Sequence, residues 1–445
     1  MSKLPNGWTL AQLGDLVQFN PKTEARDDTN CGFVPMASLG TRYGKGITVQ
    51  QERIWAEVKK AYTHFKDGDV LVAKVTPCFE NGKAGIARKL PNGIGAGSSE
   101  FCVFRPMAGI DGRYLLGWLS TKDFRRRATV AMTGSVGLKR VPKDVFLGET
   151  LPVAPPAEQR RIANKLDDML GRVDVVSDRL ARVAPLLTRL RQSILVAATS
   201  GKLTFEWRLQ HPTAHVWKDV SLVDVAGDFG YGSAAKSSRT GTVPVLRMGN
   251  IQSGNLDWTD LVYTSAQDEI AKYDLRDGDV LFNRTNSPEL VGKSAIFRGE
   301  RRAIFAGYLI RVRCGAQLLP DFLNYNLCSP AGREYCWKVK SDGVSQSNIN
   351  AVKLRAFKFK LPGTTEQAEI VRRVKLLFAY VDQLETRLKA AQTGAERLVP
   401  SLLAKAFRGE LVPQDPRDEP ANALLRRLQA APAPAPVKRG RRRVE

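Results

Sequence analysis

Histidine and cysteine are scarce: 3 and 6 in 445 residues. His64, His211 and His215 lack metal-ligand company, and Cys31, Cys78, Cys102, Cys314, Cys328 and Cys336 include no CxxC pair. That argues against a zinc ribbon or a disulfide framework and suits the reducing cytoplasm. No apolar run reaches membrane length, and Met1–Asn6 holds no apolar signal core. Acidic charge is also short, with 45 Asp and Glu against 68 Lys and Arg, a net charge of +23. Such a balance suits a polyanion, nucleic acid first among them. Solubility alone would be served better by excess acid.

Catalytic signatures are missing as well. Gly292-Lys293-Ser294 resembles the end of a phosphate loop, but Ser287 stands where the earlier glycine is required. No Gly-rich strand–helix turn offers a nucleotide or methyl-donor site. Glu80 with Lys83 and Glu289 with Lys293 differ in spacing and lack a second carboxylate to hold a metal. Both read as turns with solvated charges. No cofactor is expected to bind this chain directly.

What is present is a seam. Ile162, Leu166, Met169, Val173, Val176, Leu180, Val183, Leu187, Leu190, Ile194 and Ala197 alternate steps of four and three. The seam returns 208 residues later as Ile370, Val374, Leu377, Val381, Leu384, Leu388, Ala391, Ala395, Leu398 and Leu402. This spacing marks a coiled coil. A core helix of a single domain would show a wider apolar face and a shorter run. Pro185, and Gly394 with Pro400 in the second copy, predict rods straight for about 23 residues, then bent, with a shorter helix continuing.

The repeat extends beyond the helices. Trp8 and Asp15 match Trp217 and Asp224, and Val34-Pro35 matches Val243-Pro244. Asp67-Gly68-Asp69 matches Asp277-Gly278-Asp279, Gly82-Lys83 matches Gly292-Lys293, and Leu151-Pro152 matches Leu361-Pro362. A period this long is a duplicated domain rather than a solenoid. The expected architecture is α+β. Two tandem mixed α/β domains (1–154 and 203–362) are each followed by a long helix (155–202 and 363–412), and the helices pack as an antiparallel coiled coil. Residues 413–445 read as a Pro/Ala-rich linker and basic tail without fixed structure.

The residues between matched anchors differ, so one scaffold carries two surfaces. The first half presents Lys74, Asn81 and Lys83 after its Asp-Gly-Asp strand. Its polar loop offers Thr133, Ser135, Lys139 and Arg140. The second half presents Arg247, Asn283, Arg284, Asn286 and Lys293, with Ser345, Gln346 and Asn348 in the matching loop. Arg and Lys engage phosphates or guanine edges, Asn can read adenine, and hydroxyl-rich loops approach phosphates. Each of these residues also has an ordinary surface role open to it. The signal is the pair of divergent basic modules.

Several motifs resemble those of the specificity subunits of Type I restriction–modification enzymes, and the resemblance covers all but the tail. They are Leu4-Pro5-Asn6-Gly7-Trp8 with Leu13-Gly14-Asp15, Pro155-Pro156-Ala157-Glu158-Gln159, Arg191-Gln192-Ser193-Ile194-Leu195 before Ser200-Gly201-Lys202-Leu203-Thr204, and Ala406-Phe407-Arg408-Gly409-Glu410-Leu411. The second helix departs by opening on Pro362-Gly363 without the double proline.

The resemblance implies a non-catalytic, double-stranded-DNA-binding subunit whose two target-recognition domains read an asymmetric, bipartite site. It also implies two methyltransferase subunits that bring S-adenosylmethionine and methylate adenine. Restriction–translocase subunits would bring ATP and Mg. Ile162 to Ala184 spans about 34 Å at helical rise, near one turn of B-DNA, so helix length is expected to set the gap between half-sites. The rival classes are a stand-alone DNA-processing enzyme and a coiled-coil scaffold without sequence preference.

Overall fold

The computed structural model describes residues 4–43, 46–47, 49, 51–212 and 216–430. His215, the Pro-Ala run at 432–436 and the basic run at 438–443 lie outside them. The chain divides into two compact units, Met1–Ala181 with Lys389–Glu445, and Arg182–Leu388. No helix among the described residues is long and apolar enough to cross a membrane.

The first unit is built on two four-stranded sheets. One runs Val17–Phe19, Phe101–Pro106, Val70–Ala73, Ala84–Ile86, all antiparallel. The other runs Gln51–Ile54, Asn30–Val34, Ile94–Gly97, Thr63–Lys66, with Asn30–Val34 and Ile94–Gly97 parallel. Val70, Val72, Cys102 and Phe104 turn one face of the first sheet into a core with helices Gly112–Leu119 and Lys122–Val130. Leu71, Ala73, Phe101 and Val103 face a second core with Val34, Leu39 and Phe65. Alternation along each strand thus feeds two cores from one sheet.

The second unit repeats the scheme. Its first sheet runs Ala226–Tyr231, Leu309–Cys314, Val280–Asn283, Ser294–Ile296; its second runs Val262–Thr264, Val243–Leu246, Ile304–Phe305. The repeated Asp-Gly-Asp motif has the same cause in both. Gly68 and Gly278 take φ of 91° and 86°, a region glycine occupies at no steric cost. The following aspartate is buried and accepts a bond from the backbone N–H three residues earlier, Lys66 N at 2.7 Å and Arg276 N at 2.9 Å. It is then neutralised by an arginine on the neighbouring strand, Arg105 at 2.7 Å for Asp69 and Arg313 at 2.9 Å for Asp279.

The long helices are Pro156–Thr199 and Thr364–Phe407, and each contributes part of its length to each unit. In the first unit the start of one packs on the end of the other. Ile162, Leu166, Leu170 and Val173 share a core with Leu402, Leu403, Ala406 and Phe407. In the second unit Arg191 bridges Asp382 and Glu385, its guanidinium 5.3 Å from the Phe378 ring centroid. Both pairings are antiparallel.

Of the seam residues, Ile162, Leu166, Val173, Leu187, Ile194, Ile370, Val374, Val381, Leu388, Ala395 and Leu402 are buried. Met169, Leu180 and Leu384 are half-buried, while Val176 and Leu377 are 47% and 37% exposed. A 3.5-residue repeat drifts about 20° per heptad on a straight helix, so Leu170 takes a core place that the seam assigned to Met169.

Two expectations need correction. No shorter helix follows a break, because both prolines lie inside unbroken helices. A proline deletes one N–H donor, and buried Leu187, Ile194, Leu195 and Ala198 beyond Pro185 hold that helix, as Leu402, Leu403 and Ala406 do beyond Pro400. The region after Leu411 is not structureless throughout. Ala421–Ala430 is a helix whose Ala421 and Leu424 enter the first unit's core, and Ala421 N donates to Gly7 O at 2.9 Å.

The junctions explain the other repeated motifs. Trp8 Nε1 donates to Glu158 Oε2 at 3.0 Å, and Trp217 Nε1 to Glu366 Oε2 at 3.0 Å. Gln159 Nε2 donates to Ala154 O and Gln367 Nε2 to Pro362 O, each at 2.8 Å. Each Glu-Gln pair thereby fastens a helix start to its own domain. At the helix ends Gly201 and Gly409 adopt φ of 79° and 73°, and a Cβ on Gly409 would lie 2.4 Å from Pro5 Cγ.

Candidate nucleic-acid interface

In each unit two separate stretches of chain converge on one β-hairpin. In the first, Thr133–Ser135 pairs with Leu138–Arg140, and all six residues are exposed. The hairpin is fastened to the segment that leaves the Asp-Gly-Asp strand. Thr76 N donates to Lys139 O at 3.0 Å, Lys139 N donates to Thr76 Oγ1 at 3.0 Å, and Val141 N donates to Lys74 O at 2.9 Å. In the second unit Ser341–Asp342 pairs with Ser347–Asn348, which pairs in turn with Thr285–Asn286. Asn348 Nδ2 donates to Thr285 Oγ1 at 2.8 Å, and Ile349 N donates to Arg284 O at 2.9 Å.

The expected site residues divide accordingly. Lys74, Thr133, Ser135, Lys139 and Arg140 come together in the first unit. Arg284, Asn286, Ser345, Gln346 and Asn348 do so in the second. Lys83 Nζ is instead bound to Met36 O at 2.8 Å, Lys293 Nζ to Gln252 Oε1 at 3.3 Å, and Arg247 Nη2 to Asp260 Oδ2 at 3.2 Å. Asn81 is exposed. Asn283 is fully buried, and neither amide atom of its side chain has a hydrogen-bond partner among the described residues.

The charge on each hairpin is partly spoken for. Arg140 grips Glu100 through three contacts of 2.7–3.1 Å, and that guanidinium holds the Glu100 carboxyl below its ordinary range. Lys340 does the same for Asp342, aided by the Ser347 hydroxyl. Lys74 Nζ is bound to Ser99 O at 2.9 Å. What remains presented is Lys139 with hydroxyls in one hairpin, and Ser345 with Gln346 in the other. Beside the second hairpin, the Arg284 guanidinium sits 4.8 Å from the centroid of the Tyr231 ring, and Tyr231 Oη accepts a bond from Ala351 N at 3.0 Å.

Sequence reasoning missed Thr76, Glu100, Tyr231 and Thr285. Their part is to fasten or neutralise, which no local pattern marks. All six cysteines are free; Cys31, Cys102 and Cys336 are buried, and burial pushes Cys102 and Cys314 up to about 12. Neither is a ready thiolate.

Comparison with known proteins gives one family throughout. The profile of the Type I restriction modification DNA specificity domain matches residues 5–183 and again 216–391. The Type I restriction enzyme EcoKI specificity subunit of Escherichia coli K12 is 28% identical over 99% of both chains. The StySPI specificity subunit of Salmonella potsdam is 28% identical over 96% of both. Among solved structures, the HsdS subunit from Thermoanaerobacter tengcongensis superposes with a TM-score of 0.59 at 22% identity, covering 92% of this chain and 98% of that one. A chain from a structure concerned with complex assembly and conformational transition of the type I R-M system reaches 0.68 at 21%, covering 92% and 100%. Those two likenesses speak for the fold, and the two profile matches coincide with the two halves of the repeat. The chain therefore belongs to the Type I restriction modification DNA specificity family and is a specificity subunit carrying two copies of its domain.

Proposed function

We propose that residues 1–154 and 203–362 each read one half of an asymmetric, bipartite site in double-stranded DNA. The chain performs no chemistry itself. The carrying observation is the duplicated hairpin, fastened alike in both units yet presenting Lys139 and hydroxyls in one and Ser345 with Gln346 in the other. A shared mount with unlike side chains suits two readers of different sequence.

Catalysis comes from partners. Two methyltransferase subunits bring S-adenosylmethionine and methylate adenine at N6, and restriction–translocase subunits bring ATP and Mg. Large apolar side chains exposed on the long helices support a docking role. Among them are Val175, Val176 and Leu398 in the first unit, and Leu186, Leu376 and Tyr380 in the second. The complex works in the cytoplasm, where its DNA lies.

Co-expression with a methyltransferase partner, followed by detection of modified adenines across the host genome, tests this. The expected result is one split motif with two unlike halves. Modification without sequence preference, or methylation or cleavage by the purified chain alone, overturns it.

A further inference from the structure

The two hairpins differ at most positions but agree at their tips. Val136 and Val344 lie 208 residues apart, the period of the repeat. They are 99% and 110% exposed, the highest values for large hydrophobic side chains among the described residues. Scattered exposed apolar residues need no explanation. The same β-branched side chain at the same turn of two otherwise divergent loops does.

The surroundings narrow what could cover it. Flanking Val136 in the chain are Thr133, Ser135 and Lys139; flanking Val344 are Ser341, Asp342, Ser345 and Gln346, with the Asp342 carboxylate paired to Lys340. Leu138 is 48% exposed in the first hairpin, but Gln346 occupies its place in the second. A protein partner needs a contiguous apolar patch, and the second tip offers one valine ringed by hydrogen-bonding groups. That pattern matches the major-groove edge of a base pair, where thymine's C5-methyl is the lone apolar feature among donors and acceptors. The groove also admits a two-stranded ribbon. Both mounts are firm, since Thr76 holds one hairpin and Thr285 with Asn286 the other.

Building on the DNA-reading function proposed above, we infer that Val136 and Val344 are specificity-determining residues. Each packs on the C5-methyl of one thymine in its own half-site.

The test uses the full chain assembled with its methyltransferase partner and duplexes carrying the genomic motif. Thymines are replaced one at a time by uracil, and affinity is read at fixed salt. One replacement in each half-site should weaken wild-type binding about fourfold, the value of one buried methyl group. V136A should abolish that sensitivity in one half-site only, and V344A in the other. V130A and V352A, which alter exposed valines outside the hairpins, should leave both intact. The inference is overturned if no thymine responds, if V136A and V344A keep the wild-type response, or if either variant impairs assembly with the methyltransferase without DNA. Absence of any preference for the motif by the wild-type complex would instead defeat the DNA-reading function itself.

Discussion

Glu158 and Glu366 hold matched places yet should answer oppositely to the same substitution. Both are buried, at 1% and 2% exposure, and both accept an indole N–H at 3.0 Å. Glu366 Oε1 also accepts the Thr204 hydroxyl at 2.6 Å and pairs with Arg208. Glu158 Oε1 has no hydrogen-bond partner among the described residues, and the nearby Arg161 is engaged by Asp418 at 2.6 Å. Burial accordingly raises the Glu158 carboxyl above its ordinary value, against weaker lowering by Trp8 and Arg161.

Glutamine keeps an acceptor for the tryptophan and removes the charge. At Glu366 this strands Arg208, 27% exposed and still bound to Gly201 O at 2.7 Å. Breaking a fully buried pair costs about 3–5 kcal/mol. Discounted for that exposure, E366Q should cost about 2 kcal/mol, lowering its unit's melting temperature by about 6 °C. E158Q removes a buried charge that lacks a full set of partners and should be neutral or stabilising by about 1 kcal/mol. The pH dependence has a definite sign. A raised carboxyl favours folding while protonated and loses that contribution as pH rises through its folded value. The advantage of E158Q should therefore be greatest at neutral pH and fade on acidification toward the ordinary glutamate range. Calorimetry of the full-length variants across pH reads both effects. Equal losses from the two substitutions, or an E158Q advantage that grows in acid, would refute the reasoning.

Further outcomes are expected. L424A should destabilise the first unit by about 2–4 kcal/mol in urea unfolding, since Leu424 is 2% exposed in that core; a loss below about 0.5 kcal/mol would mean that its helix is dispensable. N283A, which copies Ala73 of the first half, should stabilise by about 1 kcal/mol because it deletes a buried amide without partners; a clear loss of stability would contradict this. Exchanging residues 30–140 for those of another reader should change one half of the modified motif, and a change in both halves would break the modular picture. Four residues added to each long helix, about one turn, should widen the gap between half-sites by about one or two base pairs; an unchanged gap would count against helix length as the ruler.

The duplication, the paired helices and the Asp-Gly-Asp turns were legible because each has a periodic or repeated signal with a direct physical cause. In the sequence the hairpins show only as polar loops. Their strands are two or three residues long and owe their form to Thr76 and Thr285, more than 50 residues earlier in the chain. The helix Ala421–Ala430 was hidden because only Ala421 and Leu424 are buried, amid a charged and proline-rich stretch. Asn283 was legible as an amide following a strand but not as one turned inward, since the matched residue Ala73 gives no hint of a polar core position.

Ala421 resting on Gly7 has a consequence for the order in which the molecule is made. The second unit is one uninterrupted segment, complete once Leu388 has left the ribosome. The first unit begins translation earlier, yet its cores are complete only once Leu402, Phe407 and Leu424 have been added. The reader that is synthesised first is thus the last to be finished, and a truncated product would carry a sound second reader beside an unsealed first one.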